Sequence, residues 1–514
     1  MINHYTDRME KYIIYLFTIV LASCSQPPEY DFVIENVELF NGEEDVGIVH
    51  IAINSDTIAA ISTEVLLSDS TLDGSGKYVI PGMVNAHVHV SSLEDLQAGY
   101  PLGILTLLNM HTGLEEREHT WKQISRDSIG FSSLYGAGHA ATAPGGHPNQ
   151  FSQDMETISN SLPVEEWVDR RIAANVDYIK IVRDHNEWME NPALPTLSYE
   201  QIGHIIEYAQ NKGFKAVVHA TTIEEIVQIA EFKPDGFVHM PDYKDDYPVP
   251  ESFYRTLAES GAFVVTTGGI SLKPVDDTPP FVREWVTNNL FDANQRAEII
   301  KKLHEYGVLI VAGTDAQAEQ MNFDSDYFYE LELYKMAGLS NSEILKTATG
   351  NAARAFNLPI GEIKIGSKAN MILLTASPID DIENLKKVEQ VWKNGKKDSM
   401  SCTRSNSISE NMKTNEQIYT LGVWHVKDGL QQEFITAWKE LGEVFASLPD
   451  SPGKGILIQS TTESTLFYSF GPWNSLDAVE AMRNNPQAQQ GVRKLMDLCS
   501  EATPGSYRVV AESP

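Results

Sequence analysis

Positively charged side chains are scarce in this chain of 514 residues. It has 39 lysines and arginines against 71 aspartates and glutamates, which gives a formal net charge of −32 at pH 7. Nucleic-acid-binding proteins need lysine and arginine against phosphates, and proteins that adsorb to anionic lipid need them against the headgroups. The composition therefore argues against both functions. It does not define a substrate, because surface acidity mainly affects solubility.

Cysteine is also scarce, because the chain contains only 3 such residues, Cys24, Cys402 and Cys499. A disulfide between Cys402 and Cys499 is compatible with an oxidising compartment, but the sequence does not show how far apart they lie. Two free thiols are the alternative. No cysteine stands near the histidines described below, so thiolate ligands are not expected there.

The apolar run near the N-terminus, residues 12–21, is too short to span a bilayer, which needs about 20 residues. Arg8 and Lys11 precede this run, and Ala22-Ser23-Cys24 follow it. A short basic region, a short apolar core and small residues together indicate a secretory signal.

The same segment resembles the signal of bacterial lipoproteins, in which the cysteine is diacylated and becomes the mature N-terminus. The resemblance implies a signal peptide over 1–23, a lipid on Cys24 and a tether over 24–30. Ser25 follows the cysteine, where no aspartate is present to indicate inner-membrane retention. We therefore expect an extracytoplasmic protein anchored to the outer membrane by lipid. A signal without lipidation is the alternative. Met9, directly before Glu10-Lys11, is a second candidate start of translation.

Four histidines, a lysine and an aspartate each stand at the end of a short apolar run, where a β-strand would stop. Imidazole and carboxylate groups are ligands for borderline metals such as zinc. Within one strand, alternate side chains point to the same side, so the two imidazoles of the first pair lie together. The alternatives are core histidines, an ion-paired lysine and a helix-capping aspartate. The six predicted metal ligands are His87, His89, Lys180, His219, His239 and Asp315.

The rest of the chain divides by its patterns. Residues 31–80 and 359–396 read as short strands separated by turn residues, and residues 81–358 alternate strand-like runs with longer helical patterns. Such alternation predicts βα units. Residues 397–416 are serine-rich with few apolar side chains, which predicts a linker. A further domain is predicted over 417–514.

Several elements within 81–358 are predicted from their apolar patterns. Further strands are expected over Ile104–Met110, Phe131–Gly138 and Ala262–Thr267. Helices are expected over Ser198–Lys212 and Asn294–Tyr306.

The segments 81–89, 178–181 and 312–315, which carry the first histidines, the lysine and the aspartate, resemble the amidohydrolase superfamily. The similarity is to its binuclear-metal branch of prolidase-like and imidazolonepropionase-related hydrolases. It covers about residues 31–396. It implies an α/β fold, with a (β/α)8 TIM-type barrel over 81–358 and a small β-sandwich built from both flanks. The six ligands would then lie at the C-terminal strand ends, where active sites of such barrels are found.

The resemblance also implies a chemistry. Two divalent metals, expected to be zinc, would be held by His87, His89 and Asp315 on one side and His219 and His239 on the other. Lys180, carbamylated by CO2, would bridge them. A metal-bridging hydroxide would attack the substrate, and Asp315 would act as general base and then as general acid. The expected reaction is hydrolysis of a C–N amide bond in a peptide, N-acyl amino acid or cyclic amide. A lactone or other ester is an alternative substrate.

Substrate contacts are predicted from loops after the strands. The segment 143–147, ending in His147, resembles a strand 3 loop of prolidase-like relatives, so His147 is a candidate to bind a substrate carbonyl or carboxylate. Tyr243 and Arg183 are further candidates, and His139 is a weaker one. The alternative for each is an ordinary loop residue.

Two departures from the family pattern bear on the substrate. Pro148-Asn149-Gln150 follow His147, where a glycine and an acidic residue are expected in prolidase-like relatives, and this weakens the case for a proline dipeptidase. Asn85 stands where aspartate is common, as also occurs in mononuclear deaminases. Those relatives lack the strand 4 lysine and carry His-x-x-Glu after strand 5, whereas His219 is followed by Ala220-Thr221-Thr222. A deaminase is therefore the less favoured alternative.

The region 417–514 reads as β-α-β-β-α-β, the order of an α+β ferredoxin-like domain. Its first helix has one apolar face, because its large apolar residues are spaced by 4, 3 and 4. The pattern resembles antibiotic-biosynthesis-monooxygenase-like domains, which form dimeric α/β barrels. It implies a homo-oligomer formed through this domain, or a small-ligand module. A non-enzymatic, surface-anchored ligand-binding lipoprotein is the alternative to a hydrolase. The predicted strands are Tyr419–Val426, Gly455–Gln459, Thr465–Phe470 and Tyr507–Ala511, and the helix residues are Phe434, Trp438, Leu441 and Phe445.

Overall fold

A computed structural model describes residues 29–508, except 69, 153–154, 186–192, 275–277, 279, 318–319, 399–417, 447, 449–453, 462, 474–475 and 484. The chain divides into two compact units between Ile408 and Ser409. The predicted signal peptide, the lipidation residue Cys24, Cys402 and nearly all of the predicted linker lie outside the described residues. Within the described part of the chain, no helix combines the length and apolarity needed to cross a membrane.

Both ends of the first unit contribute to one eight-stranded sheet of order β16-β15-β14-β5-β1-β2-β3, with β4 paired to β1. Apolar side chains such as Ile34, Ile51 and Trp392 are buried on it. The two predicted flanking segments therefore meet in space. The strands are β1 Phe32–Phe40, β2 Asp45–Asn54, β3 Thr57–Ser62, β4 Thr71–Asp73, β5 Tyr78–Pro81, β14 Met371–Leu374, β15 Val388–Lys393 and β16 Lys396–Lys397.

Between these flanks, parallel strands form a three-stranded sheet, β6-β7-β8, and a five-stranded sheet, β13-β12-β11-β10-β9. Isolated parallel bridges join the two sheets, one between Ala141 and Ile181 and one between Val88 and Ala316. The strands therefore form a curled array. They are β6 Met83–Val88, β7 Ile104–Asn109, β8 Ser133–Gly136, β9 Ile179–Val182, β10 Ala216–His219, β11 Gly236–Phe237, β12 Phe263–Val265 and β13 Ile310–Val311.

Helices follow most of these strands, and their ends are set by capping residues. The Ser198 hydroxyl accepts from the backbone N–H of Gln201, and the Gln201 side chain caps in return, so the helix begins at Tyr199, immediately after the predicted first residue. Asp292 and Gln295 start a later helix in the same way. The helices are α1 Leu93–Ala98, α2 Glu115–Asp127, α3 Val164–Ala173, α4 Tyr199–Asn211, α5 Ile223–Ala230, α6 Glu251–Ser260, α7 Pro280–Asn289, α8 Ala293–Glu305, α9 Tyr327–Met336, α10 Asn341–Ala348 and α11 Gly350–Phe356.

The second unit has a four-stranded antiparallel sheet of order β18-β19-β17-β20, packed against three helices. The predicted apolar helix face is present, with Phe434 and Leu441 buried. Its elements are β17 Ile418–Val426, α12 Gln431–Ala446, β18 Ile456–Gln459, β19 Leu466–Trp473, α13 Leu476–Arg483, α14 Pro486–Asp497 and β20 Cys499–Arg508.

Two predictions for this unit need correction. The last strand was expected to begin at Tyr507, but β20 already begins at Cys499. After the buried Cys499, Ser500 and Glu501 are exposed polar residues on an edge strand, so no apolar alternation marks the start of the strand. Two helices, α13 and α14, replace the single helix expected before this strand, because Asn485 caps a new helix at Pro486.

Candidate metal centre and active site

The parallel strands bring all six predicted ligands to one end of the curled array. His87 lies in β6, Lys180 in β9 and His219 at the end of β10. His89 directly follows β6, whereas His239 and Asp315 lie a few residues beyond the ends of β11 and β13. A cavity of about 540 Å³ opens there, and five of the six line it; the sixth, His87, is fully buried beside it. The lining ligands are His89, Lys180, His219, His239 and Asp315.

Three of the ligands converge on a single point. Asp315 Oδ1 lies 3.2 Å from His87 Nε2 and 3.0 Å from His89 Nε2. One ligand atom from each residue lies within 4.8 Å of the other two. Burial lowers the pKa of His87 to about 3, so its imidazole is neutral and able to coordinate. Burial raises the pKa of Asp315, but the neighbouring imidazoles of His87 and His89 lower it by a larger amount. The net pKa lies well below its usual value, so the carboxylate is ionised.

His239 connects this cluster to His219. The His239 ring centroid lies 4.8 Å from that of His87 and 4.2 Å from that of His219. The Thr267 hydroxyl lies 2.8 Å from His239 Nδ1, which leaves Nε2 for a metal. Burial moves the pKa of His239 well below its usual range. The four imidazoles therefore form one continuous array of nitrogen donors around the base of the cavity.

Lys180 is buried among these groups, with 2% of its surface exposed. Burial lowers the pKa of its amine to about 7. Its charge also lowers the pKa of both His87 and His239, which places the amine near each of them. A neutral amine can react with CO2, so the chemistry required for carbamylation is available at neutral pH.

The donor set fits a divalent metal. Among the described residues, Nδ1 and Nε2 of His87, Nε2 of His219 and Oδ1 of Asp315 are buried and make no hydrogen bond of acceptable geometry. This holds although Asp315 Oδ1 lies close to the nitrogens of His87 and His89. An unpartnered buried polar atom is costly. Metal coordination would satisfy one nitrogen of His87, the nitrogen of His219 and the oxygen of Asp315, and imidazole and carboxylate ligands are ones that zinc prefers.

The backbone positions Asp315 for this role. Its φ of 57° is in the left-handed region, and its N–H donates to the His87 carbonyl at 2.9 Å. Gly313 permits the approach of the two segments, because a Cβ there would lie 2.8 Å from the backbone nitrogen of His87. The strained turn thus directs the carboxylate back towards the two histidines.

Residues 78–397 match the sequence model described as "Amidohydrolase family". The chain belongs to the amidohydrolase family. The resemblance inferred from the motifs is therefore confirmed at the level of the superfamily, whose members use metal ions.

Relatives of this amidohydrolase differ in their reactions. A 5'-deoxyadenosine deaminase of Methanosarcina mazei is 23% identical over 382 residues, which cover 67% of this chain and 84% of that protein. A solved prolidase complexed with N-methylphosphonate-L-proline superimposes with a TM-score of 0.60 at 19% identity, covering 71% of this chain and 99% of that chain. A solved Xaa-Pro dipeptidase with bound methionine superimposes with a TM-score of 0.58 at 19% identity, again covering 71% of this chain and 99% of that chain. The structural likenesses show the fold, and the family supports an enzyme that acts on C–N bonds.

The cavity of this amidohydrolase includes two of the four predicted substrate residues. His147 and Tyr243 line it, and the His147 ring centroid lies 5.8 Å from that of His219. Burial lowers the pKa of His147 to about 4, so it is a neutral hydrogen-bonding group. His147 Nδ1 lies 2.8 Å from Gln150 Nε2, which can donate to it and leave a proton on Nε2. The ring can therefore donate a hydrogen bond to a ligand.

The other two candidates lie elsewhere. Arg183 does not line the cavity; its Nε lies 3.1 Å from Glu225 Oε1, and its guanidinium packs over the Tyr199 ring. His139 accepts from the backbone N–H of Glu156 at 3.2 Å and is also absent from the cavity wall. The short sequence distance between Arg183 and Lys180 therefore did not predict that the Arg183 side chain points away from the cavity.

Two cavity residues were missed by the sequence analysis. His111 follows β7 and lines the cavity, and burial moves its pKa well below the usual range. Its place just after a strand is the same signal that identified the other histidines. Asp184 follows β9, and its Oδ2 lies 3.3 Å from His219 Nε2. Both could have been found by extending the search to every polar residue within a few positions of a strand end.

Proposed function

We propose that this chain is a binuclear metal hydrolase that cleaves a C–N amide bond in a small molecule. In this proposal the curled array is a closed (β/α)8 barrel, with His87, His89 and Asp315 at one metal and His219 and His239 at the other. Carbamylated Lys180 bridges them. Expected substrates are a small peptide, an N-acyl amino acid or a cyclic amide.

The observation that carries the proposal is the environment of Lys180. A lysine amine with almost no exposed surface, next to several histidines, cannot serve as an ordinary ion-pair partner on a protein surface. Burial brings its pKa to about 7, which keeps a large neutral fraction available for CO2. The resulting carbamate would be an anionic, two-oxygen ligand placed between the two histidine groups.

The protein side chains have distinct parts in the reaction. Bound metal ions supply Lewis-acid polarisation and lower the pKa of water. Asp315, ionised and directed into the cavity, accepts the proton of the attacking water and transfers it to the leaving nitrogen. His147 donates a hydrogen bond from the cavity wall to the substrate carbonyl or carboxylate. Tyr243 offers its hydroxyl on another part of the wall, where burial keeps its pKa above the usual value.

The proposal is tested by metal content in the full chain and in Lys180→Ala, after reconstitution with zinc and bicarbonate. We expect about two equivalents in the native chain and a sharp loss in the variant, with a short carboxylate such as propionate restoring part of it. Lys301→Ala is the control, because Lys301 is an exposed lysine on α8. Two equivalents in Lys180→Ala would refute the bridging role, and no metal in the native chain would refute the hydrolase. Dipeptides, N-acyl amino acids and cyclic amides are then screened for hydrolysis, with lactones alongside.

A mononuclear deaminase is the second candidate, because the Methanosarcina mazei relative is a deaminase. The local sequence counts against it. The residue three positions after His219 is Thr222, whose hydroxyl caps α5 by accepting from the backbone N–H of Glu225. Glu225 itself pairs with Arg183 outside the cavity. One metal per chain, indifferent to Lys180→Ala, together with ammonia release from amino-purine nucleosides, would favour this reaction.

We also propose the cellular setting and the assembly. Lipidation of Cys24 would anchor the enzyme to the outer membrane, and globomycin-sensitive processing with mass spectrometry of the mature N-terminus tests it. The second unit is proposed to be ferredoxin-like and to join two copies of the chain. Its edge strand β18 exposes Ile456 and Ile458, which supports such a contact. Light scattering of the full chain and of Ile456→Lys tests this assembly.

A further inference from the structure

A second cavity, of about 510 Å³, lies within residues 418–508. It contains none of the six candidate metal ligands. One wall is the sheet, mainly β17, and the other is formed by α12, α13 and α14. Its volume is within the range of small-molecule sites, about 300–1,000 Å³.

The cavity has an aromatic interior that is held in place. Trp424 on the sheet and Trp438 on α12 both line it. The Trp424 indole N–H donates to the Ser469 hydroxyl at 2.9 Å, which fixes the ring. Gly422 makes room for this ring, because a Cβ there would lie 2.5 Å from the indole. A flat apolar molecule would find large aromatic surfaces of defined orientation here.

The described charged residues of the wall are two arginines. Arg483, at the end of α13, and Arg493, in α14, are both exposed and both line the cavity. None of the described lining residues is an aspartate or glutamate. This is unusual for a chain of net charge −32. The arrangement is electrostatically complementary to an anion at the mouth of the cavity.

We propose that this cavity binds an amphipathic organic anion, with an aromatic or similarly flat body against Trp424 and Trp438 and its negative group towards Arg483 and Arg493. The proposed site is separate from the metal centre and does not depend on the proposed hydrolase activity. It adds a ligand-capture function to the second unit.

The test uses a matched pair of fluorescent probes with the full chain. The anion is 8-anilinonaphthalene-1-sulfonate, and the neutral analogue is N-phenyl-1-naphthylamine, which lacks the sulfonate. We expect the anion to bind more tightly. Arg493→Gln should weaken anion binding about threefold to fivefold, and Arg483→Gln/Arg493→Gln should weaken it more than tenfold, while binding of the neutral probe changes little.

The control is Lys494→Gln, which removes the adjacent positive charge. Lys494 pairs with Glu440 at 2.6 Å and does not line the cavity, so this variant should bind the anion like the native chain. Trp438→Phe gives an independent readout, because it should reduce energy transfer from tryptophan to the bound anion without removing an arginine. An unchanged urea-unfolding midpoint in all variants shows that the fold is intact.

The outcomes discriminate clearly. Arginine-dependent binding of the anion, with reduced transfer in Trp438→Phe, supports the proposal. Equal affinity for the two probes, equal loss in Lys494→Gln, or full anion binding in the double arginine variant would overturn it. Unchanged energy transfer in Trp438→Phe would also overturn it, because the probe would then bind elsewhere.

Discussion

The side chain of Asn85 and residue Thr314 are joined by two hydrogen bonds across the base of the metal centre. Asn85 Nδ2 donates to the Thr314 hydroxyl at 2.8 Å, and Asn85 Oδ1 accepts from the Thr314 backbone N–H at 3.1 Å. The first residue lies two positions before His87, and the second lies immediately before Asp315. Both are almost fully buried. This pair therefore ties the strand that carries the histidines to the turn that carries the carboxylate.

Asn85→Ala is expected to weaken metal binding and to destabilise the first unit. It leaves the buried N–H of Thr314 without its acceptor, which costs about 1–3 kcal/mol, and it removes one of the two donors to the Thr314 hydroxyl, the other being the Ala316 N–H. Urea unfolding and metal content per chain measure the two effects. Asn85→Asp, which keeps the acceptor for the Thr314 N–H, should lose less than Asn85→Ala. Equal metal content in Asn85→Ala and the native chain would contradict the positioning role.

Thr267→Val is expected to lower metal affinity without removing a ligand. Thr267 has a φ of 52°, and its hydroxyl lies within hydrogen-bond distance of His239 Nδ1. The preceding residue, Thr266, and the backbone N–H of Gly269 both donate to the buried carboxylate of Glu330, which supports the turn. Loss of such an outer partner typically reduces metal affinity about 10–100-fold.

The measurement is competition with a zinc chelator in Thr267→Val and in Thr267→Ser. The serine variant retains a hydroxyl and should stay near the native affinity. If the valine variant held metal as tightly as the serine variant, the His239 contact would have no role in ligand orientation.

Lys393 is expected to make stability rise with pH above neutrality. Burial lowers its pKa to about 7 in the folded chain, whereas an unfolded lysine titrates near about 10.4. Between these values the unfolded chain binds more protons than the folded chain, so the free energy of unfolding increases with pH. The contribution is at most about 1.4 kcal/mol per pH unit. The full stabilisation from Lys393 is present above the pKa of the unfolded lysine, and it is absent below pH 7.

Urea unfolding between pH 7 and pH 9 checks this slope. Lys393→Met should flatten it, and Lys396→Met, which changes an exposed lysine in β16, should leave it unchanged. The methionine variant will also be less stable at all pH values, because the amine donates to the carbonyl oxygens of Ser125 and Phe131. The titration of Lys393 is therefore measured by the change in slope of unfolding free energy against pH, and not by the constant difference in stability. Parallel slopes for the two variants would show that Lys393 keeps its proton.

Arg296→Met is expected to be strongly destabilising. Arg296 has no exposed surface, pairs with Asp242 at 2.7 Å, and donates to the carbonyls of Gly268 and Phe291. Removing it leaves the partly exposed Asp242 carboxylate unpaired and two carbonyls without their buried donor, at a cost of up to about 3–5 kcal/mol. Asp242→Asn in the same chain should recover part of this loss, because it removes the uncompensated charge. A double variant less stable than Arg296→Met would contradict this account.

Much of the candidate metal centre was predictable because its residues are tied to strand ends. The motif around His87 and His89, the lysine within Ile179–Val182 and the aspartate after Gly313-Thr314 each carry local information about strand and turn. The parallel arrangement of strands then places their C-terminal ends together, whatever the loops do. The strand over Ile104–Asn109 was also predicted within one residue, because its side chains are all buried and apolar or nearly so.

The residues that line the cavity around the candidate ligands were less predictable, because most of them lie on loops after the strands. Arg183 and Asp184 are adjacent, yet Arg183 turns outward to Glu225 while Asp184 lines the cavity. Sequence proximity to Lys180 could not distinguish them. The last strand of the second unit was likewise hidden, because its identity comes from pairing with β17 and not from its own apolar pattern.

By itself, the sequence determined the family, the six ligand candidates and the order of strands and helices around them, because these depend on local residue patterns. Only the tertiary structure decided which loop residues face the cavity and how deeply Lys180 is buried. It also decided that Asn85 meets Thr314 and that two arginines border an aromatic cavity in the second unit. These features depend on contacts between segments far apart in the chain, and such contacts form only when the sheets curl and the helices pack.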